Sequence, residues 1–491
     1  MLADRRVKIV ATAGPSLNSY EDVCRALRAG MNVTRLNFSH GSSEQHAEVI
    51  KNLRQASRDL KAPLGVLQDL QGPKIRVGRF AGGGIELQSG EVVTLSPEFA
   101  LGESGKIPTD FSLLPSCCQP GTRILLDDGL MELRVRSVKG SQVEAEVVYG
   151  GFLKDRKGMN LPGANLPVDP LTEKDLVDLE FGLRQSVDYV ALSFVRQGQD
   201  IRDLRKLVED RRPGTKIIAK IEMLEALDHL EEIIDLSDAV MVARGDLAVE
   251  VGHSQLPILQ KSIIRLCNSA ARPVITATQM LDSMVENPRP TRAEVTDVAN
   301  AVLDGSDALM LSAESASGKH PFRCIQTMHE IIQEVEKSSG FFNAIEVDSE
   351  PVEVAQAIAA SACLTALKIQ ASAIVCLTTT GKTATLISSY RPSAKIIAVT
   401  TQLETLNRLE LAWGIQTFTI QPYNSADEAM AEIETTLIRY GLVQPGEFVV
   451  LTLGTPVMQK AKTNSLRVYQ LKGSEGLKPL TTDEMPLRCR P

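Results

Sequence analysis

The chain has 491 residues, 43% of them hydrophobic and only 4% aromatic, with a formal net charge of −8. That length exceeds one ordinary core and points to several domains, and the apolar content of Ala, Val, Leu and Ile suits buried parallel strands covered by helices. The negative balance, without a basic block, excludes a sequence-independent binder of nucleic-acid backbone, and no apolar run approaches a membrane span.

The first residues, "MLADRRVKIVATAG", enter a strand almost at once, which leaves no room for a signal peptide. The eight cysteines form no C-x-x-C pair, and Cys117 and Cys118 are adjacent, as expected of reduced thiols in a cytoplasmic protein. In chain order, strands are predicted at 7–14, 33–39 and 64–70, and after a long insertion at 189–195, 216–222, 239–245, 273–278 and 309–314. Each precedes a helical pattern or an insertion. Eight such units predict a closed (β/α)₈ barrel, with an open doubly wound sheet as the alternative. Within the insertion, "AGGG", "VKGSQ" and the alternating "VEAEVVY" predict a separate all-β unit over 73–168. The barrel then occupies 1–72 and 169–345. A linker follows at 338–350, then an α/β unit over 351–472 whose strands include "SAIVCL", "KIIAVT", "FVVLTLG" and "LRVYQL". The residues from 473 on carry Pro and Gly without periodicity and are expected to form a surface tail.

Chemistry in such a barrel collects at the C-terminal strand ends. Reading those ends yields Arg35, Asn37, Ser39 and His40 in "RLNFSH", Asp69, then Lys74 and Arg76 in "GPKIR". Further on come Lys220 and Glu222 in "KIIAKIE", Asp246 in "ARGDL", Thr278 in "TATQM", and Ser312 with Glu314. Singly, each has an ordinary explanation: Arg35 as a structural ion pair, Asp69 as a strand-end cap, Asp246 as cap of a helix starting at Leu247. Lys220 and Glu222, two apart on a strand, face the same way about 7 Å apart and could simply neutralise each other. Several strand ends agreeing on complementary charge favour a site. Glu222 and Asp246 are hard oxygen donors of the number that Mg²⁺ takes from protein. Lys220, Arg35 and Arg76 supply fixed positive charge, and the amides near Gly245 can cradle a carboxylate at a helix start. The set describes phosphoryl transfer involving a small phosphorylated acid.

The stretches "TRLNFSHG", "DLQGPKIRVG", "KGMNLPG", "AKIE", "VMVARGDLAVE", "ATQMLDSM", "PTRAEVTDVANAVLDGSDALMLSAESASGKHP" and "GTPV" closely resemble the pyruvate kinase family, in the family's order from Val7 to Leu471. The resemblance implies a barrel, a β lid and a C-terminal regulatory domain, and the reaction of phosphoenolpyruvate with ADP to give pyruvate and ATP. It implies that Arg35 binds the substrate phosphate and that Lys220 stabilises the transferring group and the enolate. Glu222 and Asp246 then hold Mg²⁺ (or Mn²⁺), and Gly245, Asp246 and Thr278 meet the carboxylate end, Thr278 also serving proton delivery. Asn37, His40, Arg76 and Lys157 correspond to nucleotide contacts, with Asp128 in "LDDG" as a lid carboxylate. A homotetramer is implied as well.

Many members of that family hold K⁺ with residues matching Asn37, Ser39, Asp69 and the Leu70 carbonyl. Here Lys74 follows "GP" where a glutamate is typical, as in the branch that works without K⁺, and its ammonium can replace the ion's charge. The loop "TTTGKTA" lacks the spacing of a Walker motif. Its Thr378, Thr380, Gly381, Lys382 and Thr383 nevertheless gather at a helix start, and by resemblance they form a loop for a sugar-phosphate or nucleotide effector, with a purely structural turn as the alternative. Two competing readings are a Schiff-base enzyme using Lys220 and a regulator that has lost its chemistry.

Overall fold

The computed structural model describes residues 5–164, 168–338, 351–456, 462–473, 480–481 and 485–489. Eight parallel strands close into a barrel, as the spacing of apolar segments predicts: Lys8–Thr12, Val33–Asn37, Gly65–Asp69, Tyr189–Leu192, Lys216–Ile221, Ala239–Ala243, Val274–Ala277 and Ala308–Leu311. Closure is made by Lys8–Thr12, which pairs with Val33–Asn37 on one side and Ala308–Leu311 on the other. Alternation along each strand sorts the side chains. Val10, Val33, Leu67, Ala191, Ile218, Met241, Ile275 and Met310 point inward and fill the barrel. Their neighbours Ile9, Ala11, Val66, Val190, Ile217, Ala219 and Val242 point outward and are buried under the helices.

The insertion after Gly65–Asp69 folds as a six-stranded sheet with a separate two-stranded ribbon, around its own cluster that includes Val93, Leu95, Leu133, Val143 and Leu153. The long hairpin Met131–Lys139 with Gln142–Tyr149 turns at Gly140, whose φ of 62° is the left-handed value such turns favour. The expected linker lies, from residue 339 on, outside the described residues.

Among the described residues the C-terminal unit contains five strands where four are predicted. The additional strand, Ile415–Thr419, sits at one edge of the sheet beside Lys395–Thr400. Its polar Gln416, Thr417 and Thr419 hide it from a search for wholly apolar runs.

Two further expectations are corrected. The helix bearing Asp246 runs Arg244–Val251, so Asp246 lies in its first turn and is not its cap. The residues past 473 are not simply a surface tail. Leu487 is buried and belongs to the barrel's outer cluster, with its amide on the Leu60 carbonyl. Arg488 donates to the Met31 carbonyl and lies 3.6 Å from Glu410. A single leucine finding an apolar seat leaves no periodic signal in sequence, which is why the segment reads as tail.

Candidate active site

The barrel's alternation builds the site directly. Two residues beyond the inward-facing Val10, Val33, Leu67, Ala191 and Ile218 come Thr12, Arg35, Asp69, Ser193 and Lys220, a polar layer on top of an apolar plug. The layer is wired together. Arg35 Nε donates to Asp69 Oδ2 at 2.6 Å and its Nη1 to Thr12 Oγ1 at 3.2 Å. Lys220 Nζ lies 3.2 Å from Asp69 Oδ1 and 2.9 Å from Glu222 Oε1, and donates to Ser193 Oγ at 2.6 Å. Ser193 in turn donates to the Leu70 carbonyl at 2.7 Å. Lys220 and Glu222 do neutralise each other, but Asp69 and Arg35 extend the pair into a chain across three strands.

Burial alone would strip these groups of charge; their partners decide otherwise. Burial draws Lys220 down, yet Asp69 and Glu222 outweigh it and hold the ammonium above its ordinary value. Burial likewise pushes Asp69 up, and Lys220 with Arg35 more than reverses it. Glu222 ends higher than an ordinary glutamate: burial raises it, Lys220 only partly compensates, and the nearby charge of Asp246 adds to the rise. Its second oxygen, Oε2, accepts from the Phe194 amide at 2.8 Å. Two carboxyl groups from adjacent strands that repel each other are what a divalent cation would relieve, so this donor set fits Mg²⁺.

Asp246 meets the inserted unit: Lys74 Nζ is 3.2 Å from its Oδ1 and 3.9 Å from Asp128. Lys74 therefore partners these two acids. The Asn37, Ser39, Asp69 and Leu70 set is otherwise engaged, since Asn37 Oδ1 accepts from the Ser39 amide at 3.1 Å and the other two serve Arg35 and Ser193. The Gly245 amide donates to Thr278 Oγ1 at 2.9 Å. Thr278 has φ of 72°, a rare conformation for a β-branched residue and of the kind stored at functional sites. Arg244 supports it, donating to the Ala277 and Thr278 carbonyls at 3.1 and 2.6 Å while paired to Asp297 at 2.8 Å. Glu314 is raised by burial and accepts from the Ser312 and Leu281 amides at 2.6 and 3.3 Å, so it braces the loop beyond Thr278.

Arg35, Asn37, His40, Ser312 and the loop Thr12–Pro15 line an adjoining cavity of about 790 Å³. Arg76 and Lys157 sit on the inserted unit, Arg76 donating to the Arg156 carbonyl at 3.0 Å and Lys157 paired to Asp127 at 2.7 Å. The C-terminal loop lies apart from this cavity. Gly381, φ 86°, donates its amide to Thr378 Oγ1 at 3.0 Å, Thr383 is buried against Thr463, Thr380 is exposed, and Lys382 is exposed with Glu353 3.7 Å away.

Sequence reading missed Thr12, Ser193 and Arg244. The first two were within reach, because each lies two positions past an inward apolar residue. Arg244 was not, since its partners come from three other parts of the fold.

This barrel, with charge gathered at its strand ends, is that of a phosphotransferase. A family profile for the pyruvate kinase barrel domain matches residues 4–325, and one for the pyruvate kinase alpha/beta domain matches 356–469. A pyruvate kinase of Agrobacterium vitis is 42% identical over 483 residues, spanning 96% of this chain and 98% of that one. A pyruvate kinase of Geobacillus stearothermophilus is 41% identical over 470 residues, spanning 95% and 80%. The crystal structure of a pyruvate kinase from Cryptosporidium parvum superposes with a TM-score of 0.90 at 36% identity, covering 96% of this chain and 97% of that one. The chain belongs to the pyruvate kinase family.

Proposed function

We propose that this chain carries out Mg²⁺-dependent transfer of the phosphoryl group of phosphoenolpyruvate to ADP, the last step of glycolysis. The observation that carries this reading is the polar layer Thr12–Arg35–Asp69–Ser193–Lys220 set on an apolar plug and ending at Glu222 and Asp246. In the reaction, the bond from phosphorus to the enol oxygen breaks and a bond to the terminal phosphate oxygen of ADP forms. The enolate left behind takes a proton on carbon.

Arg35, held by Asp69, binds the substrate phosphate. Lys220, kept charged by two carboxylates, stabilises the negative charge that moves to the transferring group and the enolate oxygen. Its position is fixed before the reaction by three partners, so little reorganisation is needed. The Asp246 amide, in the first turn of the helix Arg244–Val251, meets the carboxylate end, beside Gly245, whose amide holds the Thr278 hydroxyl. Thr278, beside Gly245, orders the proton delivery that converts enolate to pyruvate. Glu222 and Asp246 would hold the divalent cation, Mg²⁺ or Mn²⁺, which when bound neutralises charge on the transferring phosphate. Asn37, His40, Arg76 and Lys157 contact the nucleotide phosphates, with the inserted unit acting as a lid that excludes water.

Lys74, on the lid arm beside Asp246, supplies a monovalent positive charge, which supports activity without K⁺. The loop Thr378–Thr383 receives a sugar-phosphate or nucleotide effector in a cytoplasmic homotetramer; its exposed Lys382 above a left-handed glycine supports an anion there.

Steady-state turnover of phosphoenolpyruvate and ADP, coupled to pyruvate reduction, tests the reading. Turnover is expected with Mg²⁺ in buffer free of K⁺, and absent with chelator. No pyruvate in the presence of Mg²⁺ sinks the assignment, and a steep rise on adding KCl sinks the role of Lys74. Activation by an effector that survives Lys382→Ala removes the loop as receptor.

A further inference from the structure

The helix Arg244–Val251 reaches the lid twice. Asp246 and Glu250 are four residues apart and so share one helix face. Asp246 takes the ammonium of Lys74, on the arm by which the chain enters the lid. Glu250 lies against the side chain of Asn160 and near the backbone of Gly163, on the arm by which the chain leaves it. Lys74, Asn160 and Glu250 surround a cavity of about 30 Å³ between lid and barrel, room for one water.

Glu250 is costly where it stands. It is 7% exposed, and its Oε2 is buried without a hydrogen-bond partner among the described residues, an unfavourable place for a carboxyl oxygen. Burial, and then the neighbouring Glu225, push its carboxyl up to about 7. Nothing in the derived chemistry uses it.

Resting on the reaction proposed above, we propose that Glu250 is a positioning residue for phosphoryl transfer: it pins the lid's outgoing arm to the helix that carries Asp246. The two clasps differ in kind. The clasp on the incoming arm uses a carboxylate that the divalent cation also claims, so it is exchanged when the site is loaded. The clasp at Glu250 is independent of the cation and is kept. The outgoing arm is thereby the fixed pivot of the lid, and Lys157, three residues before Asn160, is delivered to the nucleotide from that pivot.

Amide hydrogen exchange on the full-length protein, with and without Mg²⁺, combined with steady-state kinetics, tests this. In Glu250→Ala, exchange over 157–164 is expected to quicken about tenfold while the barrel strands keep their protection. The same variant should lose about tenfold in kcat/KM for ADP while KM for phosphoenolpyruvate stays within about twofold. Glu250→Gln, which keeps an acceptor, should recover most of both losses. Asn160→Ala, which leaves the buried carboxyl in place, should move the same readouts in the same direction by less. Mg²⁺ alone should loosen 73–77 in the wild type and leave 157–164 unchanged. Unchanged exchange at 157–164 in both the Glu250→Ala and the Asn160→Ala variants overturns the proposal. So does a rise spread equally over the barrel strands, which would make Glu250 a support of the fold only. Wild type that does not turn over phosphoenolpyruvate defeats the proposed reaction instead, and the exchange pattern still decides the clasp.

Discussion

The two ends of the barrel both bury cations, with opposite outcomes. At the C-terminal end, Lys220 shares its site with Asp69 and Glu222, and two carboxylates hold it firmly charged. At the N-terminal end a cleft of about 510 Å³ against the C-terminal domain collects Arg5, Lys8, Arg58 and Arg488, with Glu410 among them. There burial comes first and the neighbouring cations add to it. Lys8 is drawn down to about 8 and Arg5 to about 9, although Glu410 pulls both back up. Lys8 donates instead to the Ile415 carbonyl at 2.7 Å, and Glu410 is shared with Asn32. A buried lysine thus signals nothing by itself; what distinguishes Lys220 is the number of acids around it.

The strongest way to break the contrast is Lys220→Met, which keeps the volume and removes the charge. Its kcat should fall by about 10³-fold, the scale of losing a preorganised charge at the reacting centre. A coupled assay showing less than about a tenfold loss would mean that Lys220 merely neutralises Asp69 and Glu222. Next in size is an ion pair with no catalytic part. Arg391 grips Asp307 with two bonds of 3.0 Å, donates to Asn268 and the Gly305 carbonyl at 2.8 Å, and lies 5.0 Å over Trp413. Arg391→Ala strands the buried Asp307 and should cost about 3–5 kcal/mol in denaturant unfolding. In the folded range its kcat should remain near the wild-type value.

The smallest expected effect sharpens the comparison from the N-terminal end. Lys8 has a folded-state value of about 8 against an ordinary 10.5. Between these values the unfolded chain binds the extra proton, so wild-type stability should rise with pH through this window. Lys8→Met should flatten its share of that rise and leave stability at pH 7 within about 1 kcal/mol, since a lost bond to the Ile415 carbonyl offsets a relieved charge. A variant whose pH profile matches the wild type would show that Lys8 is not the depressed group.

The barrel was legible because its strands are apolar on both faces and recur between helical segments. The helix limits at Asp246 were less so, since "VARGDLAVE" is equally compatible with a loop that caps a later start. The edge strand Ile415–Thr419 was hidden by its polar residues, and the seat of Leu487 by the absence of any period around it. Within the site, Arg35, Asp69, Lys220 and Glu222 could be chosen from type and strand position. The ion-pair chain that joins them depends on the stagger of neighbouring strands, which pairs Thr12 with Arg35 and Asn37 with Asp69.

The linear order of residues determined the layer architecture, the inward set of each strand and the chemical types at the strand ends. It did so because period-two alternation and the requirement to bury apolar faces act over a few residues at a time. Only the tertiary structure decided which charges face one another, that Lys74 serves Asp246, and that Leu487 and Arg488 pack against the barrel. Those outcomes depend on contacts between segments tens to hundreds of residues apart, and on how completely water is excluded from each.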